Sequence, residues 1–157
     1  MTDAFDNYRI SGMTHHGLRF DCTLFTQVQG NLWIGGRPHR YPAFFKNVLC
    51  LYPWEPSSRE PGTTVREVPL YDSIADAING DMIEELTDWV IDRLGEGPVL
   101  VHCQCGLNRS GLVVTNVLIR LGMKPQDAID KLQSERDPTV LCNERFVAWL
   151  LQKGDSA

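Results

Sequence analysis

The chain contains no apolar run approaching the roughly 20 residues that cross a bilayer, and its polar opening, Met1-Thr2-Asp3, lacks the basic and apolar regions of a secretion signal. No membrane span is expected, and the cytoplasm is the expected address. Cysteine is sparse and unpatterned. The five residues are odd in number and form no Cys-Xaa-Xaa-Cys knuckles, which argues against a disulfide framework and a structural zinc site. Cys22, Cys50 and Cys142 read as small buried hydrophobes. Lysine is scarcer still, four of the 15 basic residues. A formal charge of -5 argues against a broad basic surface of the kind that wraps nucleic acid. A small anionic substrate remains compatible, since the 11 arginines offer forked contacts wherever they converge.

What is present suffices for one domain with a hydrophobic core: 157 residues, 43% apolar and 22% charged. Residues 1–19 show no sustained period and are expected to form an irregular arm, 20–152 a single catalytic domain, and 153–157 a tail. Phe25 to Val28 and Leu32 to Ile34 read as short strands around Gln29-Gly30-Asn31, with Gly35-Gly36 ending the pattern. Asn47 to Leu51 and Val65 to Leu70 are further strand candidates, separated by a surface excursion from Pro53 to Gly62. Ile78, Met82, Ile83, Leu86, Trp89, Val90 and Leu94 recur at helical spacing, with Asp76 as candidate N-cap. Val99-Leu100-Val101 reads as a central strand, and Leu112 to Ile119 is apolar for too long to be an exposed helix. Gly122 marks that helix's end, Pro125 opens another, and Asn143 can cap a last one. The expected fold is α/β, a central mostly parallel sheet flanked by helices.

Between that strand and the buried helix stands His102-Cys103-Gln104-Cys105-Gly106-Leu107-Asn108-Arg109-Ser110-Gly111. A thiol and a guanidinium separated by five residues can close a loop around a tetrahedral oxyanion. If the loop curls around Cys103, the amides of Gln104, Cys105, Gly106, Leu107, Asn108 and Arg109 point inward, and the start of the following helix adds favourable potential. The same donors stabilise a thiolate and hold phosphate oxygens, with Arg109 gripping two of them. Attack by Cys103 gives a cysteinyl-phosphate that water then hydrolyses, and neither metal nor cofactor is required.

The leaving oxygen needs a proton, and Asp72, where a strand gives way to a loop, is the leading candidate; its alternative is a solvated turn residue. His102 reads as an organiser of the loop or a satisfied core histidine. Ser110 either donates to the sulfur or caps the helix. Cys105 is a packing residue or a redox partner of Cys103. Arg37, His39 and Arg40 either add positive potential at the entrance or are solvated surface.

His-Cys, five residues, then Arg-Ser resembles the signature of the cysteine-dependent protein tyrosine phosphatase superfamily, specifically its compact, atypical dual-specificity branch. The resemblance runs from about Phe25 to Leu151. It includes Leu32-Trp33-Ile34-Gly35, Asp72 at 31 residues before Cys103, and Asn143-Glu144-Arg145-Phe146. It implies Cys103 as nucleophile, Arg109 as phosphate-binding arginine, Ser110 as the hydroxyl assisting breakdown of the intermediate, His102 as organiser and Asp72 as general acid. The implied substrate is a phosphorylated protein or peptide carrying phosphotyrosine and, in a shallow pocket, phosphoserine or phosphothreonine. Cys105 replaces the small residue usual in such loops, and the absence of loop lysines argues against an inositol lipid. Gly106-Leu107-Asn108-Arg109 also resembles the loop of RNA 5'-triphosphatases, which makes an RNA 5' end the alternative substrate.

Overall fold

The computed structural model describes residues 8–155, with the side chains of 11–13 and 155 outside the description. Five strands form the main sheet: β3 (Phe25–Gln29), β4 (Leu32–Gly35), β5 (Asn47–Cys50), β6 (Thr64–Glu67) and β7 (Val99–His102), in the order β3-β4-β7-β5-β6. Every pairing is parallel except β3 with β4, the hairpin around Gly30. β7 lies at the centre and is buried along its whole length, which is why it reads as an uninterrupted apolar run.

Alternation along the strands separates two cores. Leu32, Ile34, Leu49, Val99 and Val101 face the helices α1 (Gly80–Leu94), α2 (Arg109–Arg120), α3 (Pro125–Glu135) and α4 (Glu144–Asp155). Trp33, Val48 and Leu100 point the other way, into an aromatic layer with Phe25, Tyr41 and Phe45. α2 is buried without a break from Arg109 to Leu118, in keeping with its apolar composition. α4 extends to Asp155, so the expected tail from 153 begins as helix.

Two local expectations are corrected. The N-cap of α1 is Asn79, whose side chain accepts from the Met82 amide at 3.1 Å, and not Asp76. Asp76 lies earlier, in a turn where Ser73 Oγ accepts from the amides of Ala75 and Asp76. The arm expected to be irregular over 1–19 instead contains an antiparallel hairpin of β1 (Arg9–His15) and β2 (Leu18–Thr23). Its two-residue turn, His16-Gly17, has φ of 50° and 78°, the left-handed geometry that matches strand twist. Phe20 and Cys22 alternate with exposed residues along β2 and dock the hairpin on the helix-side core.

Candidate active site

The end of β7 delivers Cys103 to the carboxyl edge of the sheet, and the chain turns through Gln104 to Asn108 before α2 begins at Arg109. One peptide unit explains how the turn is held. The Cys105 carbonyl accepts from Arg136 Nη2 at 3.1 Å, while the N–H of the same peptide, on Gly106, donates to Cys103 Sγ at 3.3 Å. Arg136 Nε binds the next carbonyl, that of Gly106, at 2.7 Å. Its remaining donors reach Thr23 and Leu24 carbonyls and Thr26 Oγ1. Turning carbonyls out to a buried guanidinium turns the amides toward the sulfur. Gly106 has φ of 75°, and a Cβ there would come within 2.5 Å of both Arg136 and the Gly35 backbone, so only glycine fits.

Ser110 Oγ lies 3.2 Å from Cys103 Sγ. Burial pushes the Cys103 thiol up, but the Arg109 charge and the bonds from Ser110 and Gly106 outweigh it and hold the thiol below its ordinary range. Cys105, two residues on, is buried in the core and pushed up to about 12 by that burial and by the neighbouring Cys103. The two thiols are unbridged and chemically opposite. Leu107 is also a core residue, and Gln104 offers its carbonyl to the Arg37 amide at 3.0 Å, so these loop positions present backbone to an anion. Arg109 is 6% exposed, its guanidinium lies 5.1 Å from the centroid of the Tyr52 ring, and its Nε has no hydrogen-bond partner. A buried donor left open beside inward-facing amides suits an oxyanion ligand.

His102 is fully buried, and burial pushes it down to about 4, so the ring is neutral near pH 7. Its Nδ1 donates to its neighbour's carbonyl, on Cys103, at 3.0 Å, leaving Nε2 to accept from the Tyr41 hydroxyl at 2.7 Å. The ring bridges the loop to the aromatic layer.

Asp72 is brought to the rim of the loop through Asn108, whose Nδ2 donates to Oδ2 at 3.0 Å. Asn108 Oδ1 in turn accepts from the Asn143 amide at 2.9 Å, tying loop and acid to the start of α4. Asp72 is no solvated turn residue: its side chain is 7% exposed. Asn143 Nδ2 binds Oδ1 at 2.7 Å, and His15 and His16 approach Oδ2 through Nε2 at 2.6 and 2.9 Å. Burial alone would raise this carboxyl, yet the bonds from His15, Asn143, Asn108 and His16 together hold it well below the usual carboxylate range.

The arginines expected near the entrance are otherwise engaged. Arg40 pairs with Glu60, and Arg37 reaches the Glu55 and Pro56 carbonyls. Both pin the 53–62 excursion to the body. His39 is exposed and contacts that segment through its backbone.

Sequence reasoning did not find Arg136, Tyr41, Tyr52, His15 or His16 as parts of this site. The adjacent His15-His16 before a glycine was the one visible signal among them.

The geometry agrees with the comparisons. Residues 53–156, which span Asp72, the loop, Arg136 and Asn143, match the family described as "Dual specificity phosphatase, catalytic domain". The chain belongs to that family. It is a cysteine-dependent phosphatase of the protein phosphatase type. A mouse putative dual specificity phosphatase, solved with zinc tungstate, is 26% identical over 85% of this chain and 87% of its own, with a TM-score of 0.72. Human DUSP28 superimposes with a TM-score of 0.73 at 22% identity, over 83% of this chain and 96% of that one. Orf virus OH1, described as a tyrosine phosphatase with triple substrate specificity, does so at 0.67 and 18% identity, over 85% and 87%. No curated protein matches the chain at significant similarity. The fold of this dual specificity phosphatase also has no helix, among the described residues, long and apolar enough to cross a membrane.

Proposed function

We propose that this phosphatase hydrolyses phosphotyrosine, and phosphoserine and phosphothreonine where they reach the loop, on cytoplasmic phosphoproteins. The observation that carries the reading is the shared apparatus around Cys103: the Gly106 amide and Ser110 hydroxyl on its sulfur, with the open Nε of Arg109 beside them. Phosphate oxygens bind the loop amides and Arg109, which places phosphorus over the thiolate. The sulfur forms the S–P bond as the ester P–O bond breaks, and Asp72 supplies the proton to the departing oxygen. Water then attacks phosphorus, giving up a proton to Asp72, while Ser110 steadies the leaving thiolate. Asp72 as described here is ionised, so donation requires that it first take up a proton and part from the hairpin turn.

The surroundings support an aryl ester. Trp54 and Tyr71, 47% and 68% exposed, continue from Tyr52 in an edge-on and then a tilted contact, with ring centroids 5.2 and 5.3 Å apart, and Tyr52 touches Arg109. An aromatic edge beside the phosphate-binding group suits a phenyl ring. The relatives named above are protein phosphatases, which favours a phosphoprotein over a triphosphorylated RNA end. Five unbridged thiols fit the reducing cytoplasm.

Assay of the purified protein with phosphotyrosine, phosphoserine and phosphothreonine peptides and with triphosphorylated RNA is the test. Peptide turnover abolished by Cys103→Ser is expected. Preferential RNA hydrolysis, or peptide hydrolysis that survives Cys103→Ser, would overturn the reading.

A further inference from the structure

The geometry points to a binding site for a zinc-class divalent cation formed by His15, His16 and Asp72, at which a bound ion withdraws Asp72 from the reaction. The ligand atoms, one from each residue, all lie within 4.8 Å of one another. Both imidazoles converge on the same carboxylate oxygen, at 2.6 and 2.9 Å through Nε2.

Adjacent residues on a strand point to opposite faces, so two neighbouring histidines on one carboxylate need a special backbone. The hairpin supplies it. His15 is the last residue of β1, and His16 enters the turn with φ of 50°, which brings the two rings to the same side with centroids 5.0 Å apart. The site is also sheltered, with side chains 14%, 26% and 7% exposed for His15, His16 and Asp72.

The carboxylate is oriented from behind. Asn143 Nδ2 holds Oδ1 at 2.7 Å and Asn108 Nδ2 reaches Oδ2 at 3.0 Å, the kind of outer support that fixes a metal-binding carboxylate. Two imidazole nitrogens and one carboxylate oxygen suit zinc and its borderline neighbours, and suit magnesium or calcium poorly because those prefer oxygen alone. Ligand atoms around a tetrahedral zinc stand about 3.3 Å apart, so insertion needs each histidine–carboxylate contact to open by roughly half an ångström and the two ligand nitrogens, within 4.8 Å of each other, to settle at that spacing. Each Nε2 donates to the carboxylate before the ion enters, so a neutral ring shifts that proton to Nδ1 by exchange with solvent, and a charged ring releases its Nε2 proton to solvent, as Nε2 bonds the ion. Water completes the coordination.

The site is inferred from geometry alone. Its effect on turnover rests on Asp72 being the acid, because a carboxylate bonded to a cation cannot carry a proton to the leaving oxygen.

Zinc chloride is titrated into the Cys103→Ser protein by calorimetry, which removes the active-site thiolate as a competing ligand. One ion per chain is expected, with affinity reduced at least about tenfold in Cys103→Ser combined with His15→Gln or with His16→Asn. These replacements retain a polar side chain and, at 16, turn propensity. Cobalt in place of zinc should give visible d–d absorption without thiolate charge transfer. Circular dichroism of each variant confirms the fold. No saturable binding to Cys103→Ser, or undiminished binding after either histidine change in a folded protein, would overturn the site. In the protein with Cys103 intact, zinc should slow hydrolysis of a poor-leaving-group alkyl phosphate more than that of p-nitrophenyl phosphate. Zinc on the Cys103 thiolate would slow both esters alike, so the part of the inhibition that His15→Gln abolishes is compared: equal loss on both esters, with histidine-dependent binding intact, would retain the site and remove Asp72 as acid.

Discussion

Arg136 lies 30 residues beyond Gly106 and donates from Nε to its carbonyl at 2.7 Å, while Nη2 binds the Cys105 carbonyl. The loop around Cys103 is therefore shaped from outside by a buried fork that makes no hydrogen bond to the sulfur. Arg136→Lys keeps the charge but replaces the planar fork, whose Nε and Nη2 hold two carbonyls at fixed spacing, with a single ammonium. The expected outcome is a folded protein whose Cys103 alkylates with its pH midpoint raised by about one unit, and whose kcat falls at least tenfold with a smaller change in KM. An unchanged alkylation profile would deny Arg136 this positioning role.

Ser110 stands 3.2 Å from the same sulfur. A hydrogen bond to an ionised group is worth about 1.5–3 kcal/mol, so Ser110→Ala should raise the Cys103 midpoint by roughly one to two pH units. In the proposed mechanism the hydroxyl also eases departure of the sulfur in the second step. Rapid-mixing assays with p-nitrophenyl phosphate should show a burst of product followed by slow turnover as the phosphoenzyme accumulates. Linear product formation at the wild-type rate would assign Ser110 to structure alone.

Asp72→Asn separates proton donation from binding. An alkyl phosphate, whose leaving group is strongly basic, should lose about 100-fold or more in kcat, while p-nitrophenyl phosphate should lose far less. Equal losses on both esters would point to damage of the Asn108 and Asn143 network in place of lost acid. Replacing the carboxylate also leaves four donor side chains with a poorer acceptor, and a stability loss of about 1–3 kcal/mol is expected by urea unfolding.

The nucleophilic half of this site was legible because one contiguous segment carries it. Strand, loop and helix each announce themselves locally, and Cys103, Arg109 and Ser110 fall where that grammar puts them. Asp72 was readable from its place after a strand. Arg136 was not, because a single arginine at the end of an amphipathic helix carries no local sign that its fork turns inward. The hairpin over residues 9–23 was missed for a related reason: its turn uses His16-Gly17 where asparagine or aspartate is usual, and only its docking on the core makes the strands worthwhile. Asp76 was expected as the cap of α1 where the structure has Asn79, since both have capping chemistry and the choice depends on the Ser73 turn that holds Asp76.

His102 should write its burial into stability. Its pKa in the fold is about 4, against about 6.5 when unfolded. Between those values the unfolded chain binds a proton that the folded chain does not, so stability declines as pH falls from about 6.5 to 4 and levels off below. The decline from this residue is of the order of 2–3 kcal/mol. Urea midpoints at pH 7 and pH 5 for the protein and for His102→Gln check it, and an identical slope in both would refute the assignment. Tyr41→Phe removes the hydroxyl that His102 Nε2 accepts, and should cost about 1–3 kcal/mol by leaving that nitrogen unsatisfied.

β7 is hydrogen-bonded on both sides, to β4 and β5, at the middle of the main sheet, whereas β1 and β2 pair only with each other. Amides of 99–102 should then exchange with solvent only through global unfolding, and those of the hairpin through a smaller, more frequent opening. On that expectation Cys103 is mounted on the slowest-exchanging part of the molecule, and two of the groups that restrain Asp72 sit on a faster one. Fluctuations of the hairpin can change the surroundings of Asp72 while the frame of Cys103 stays closed.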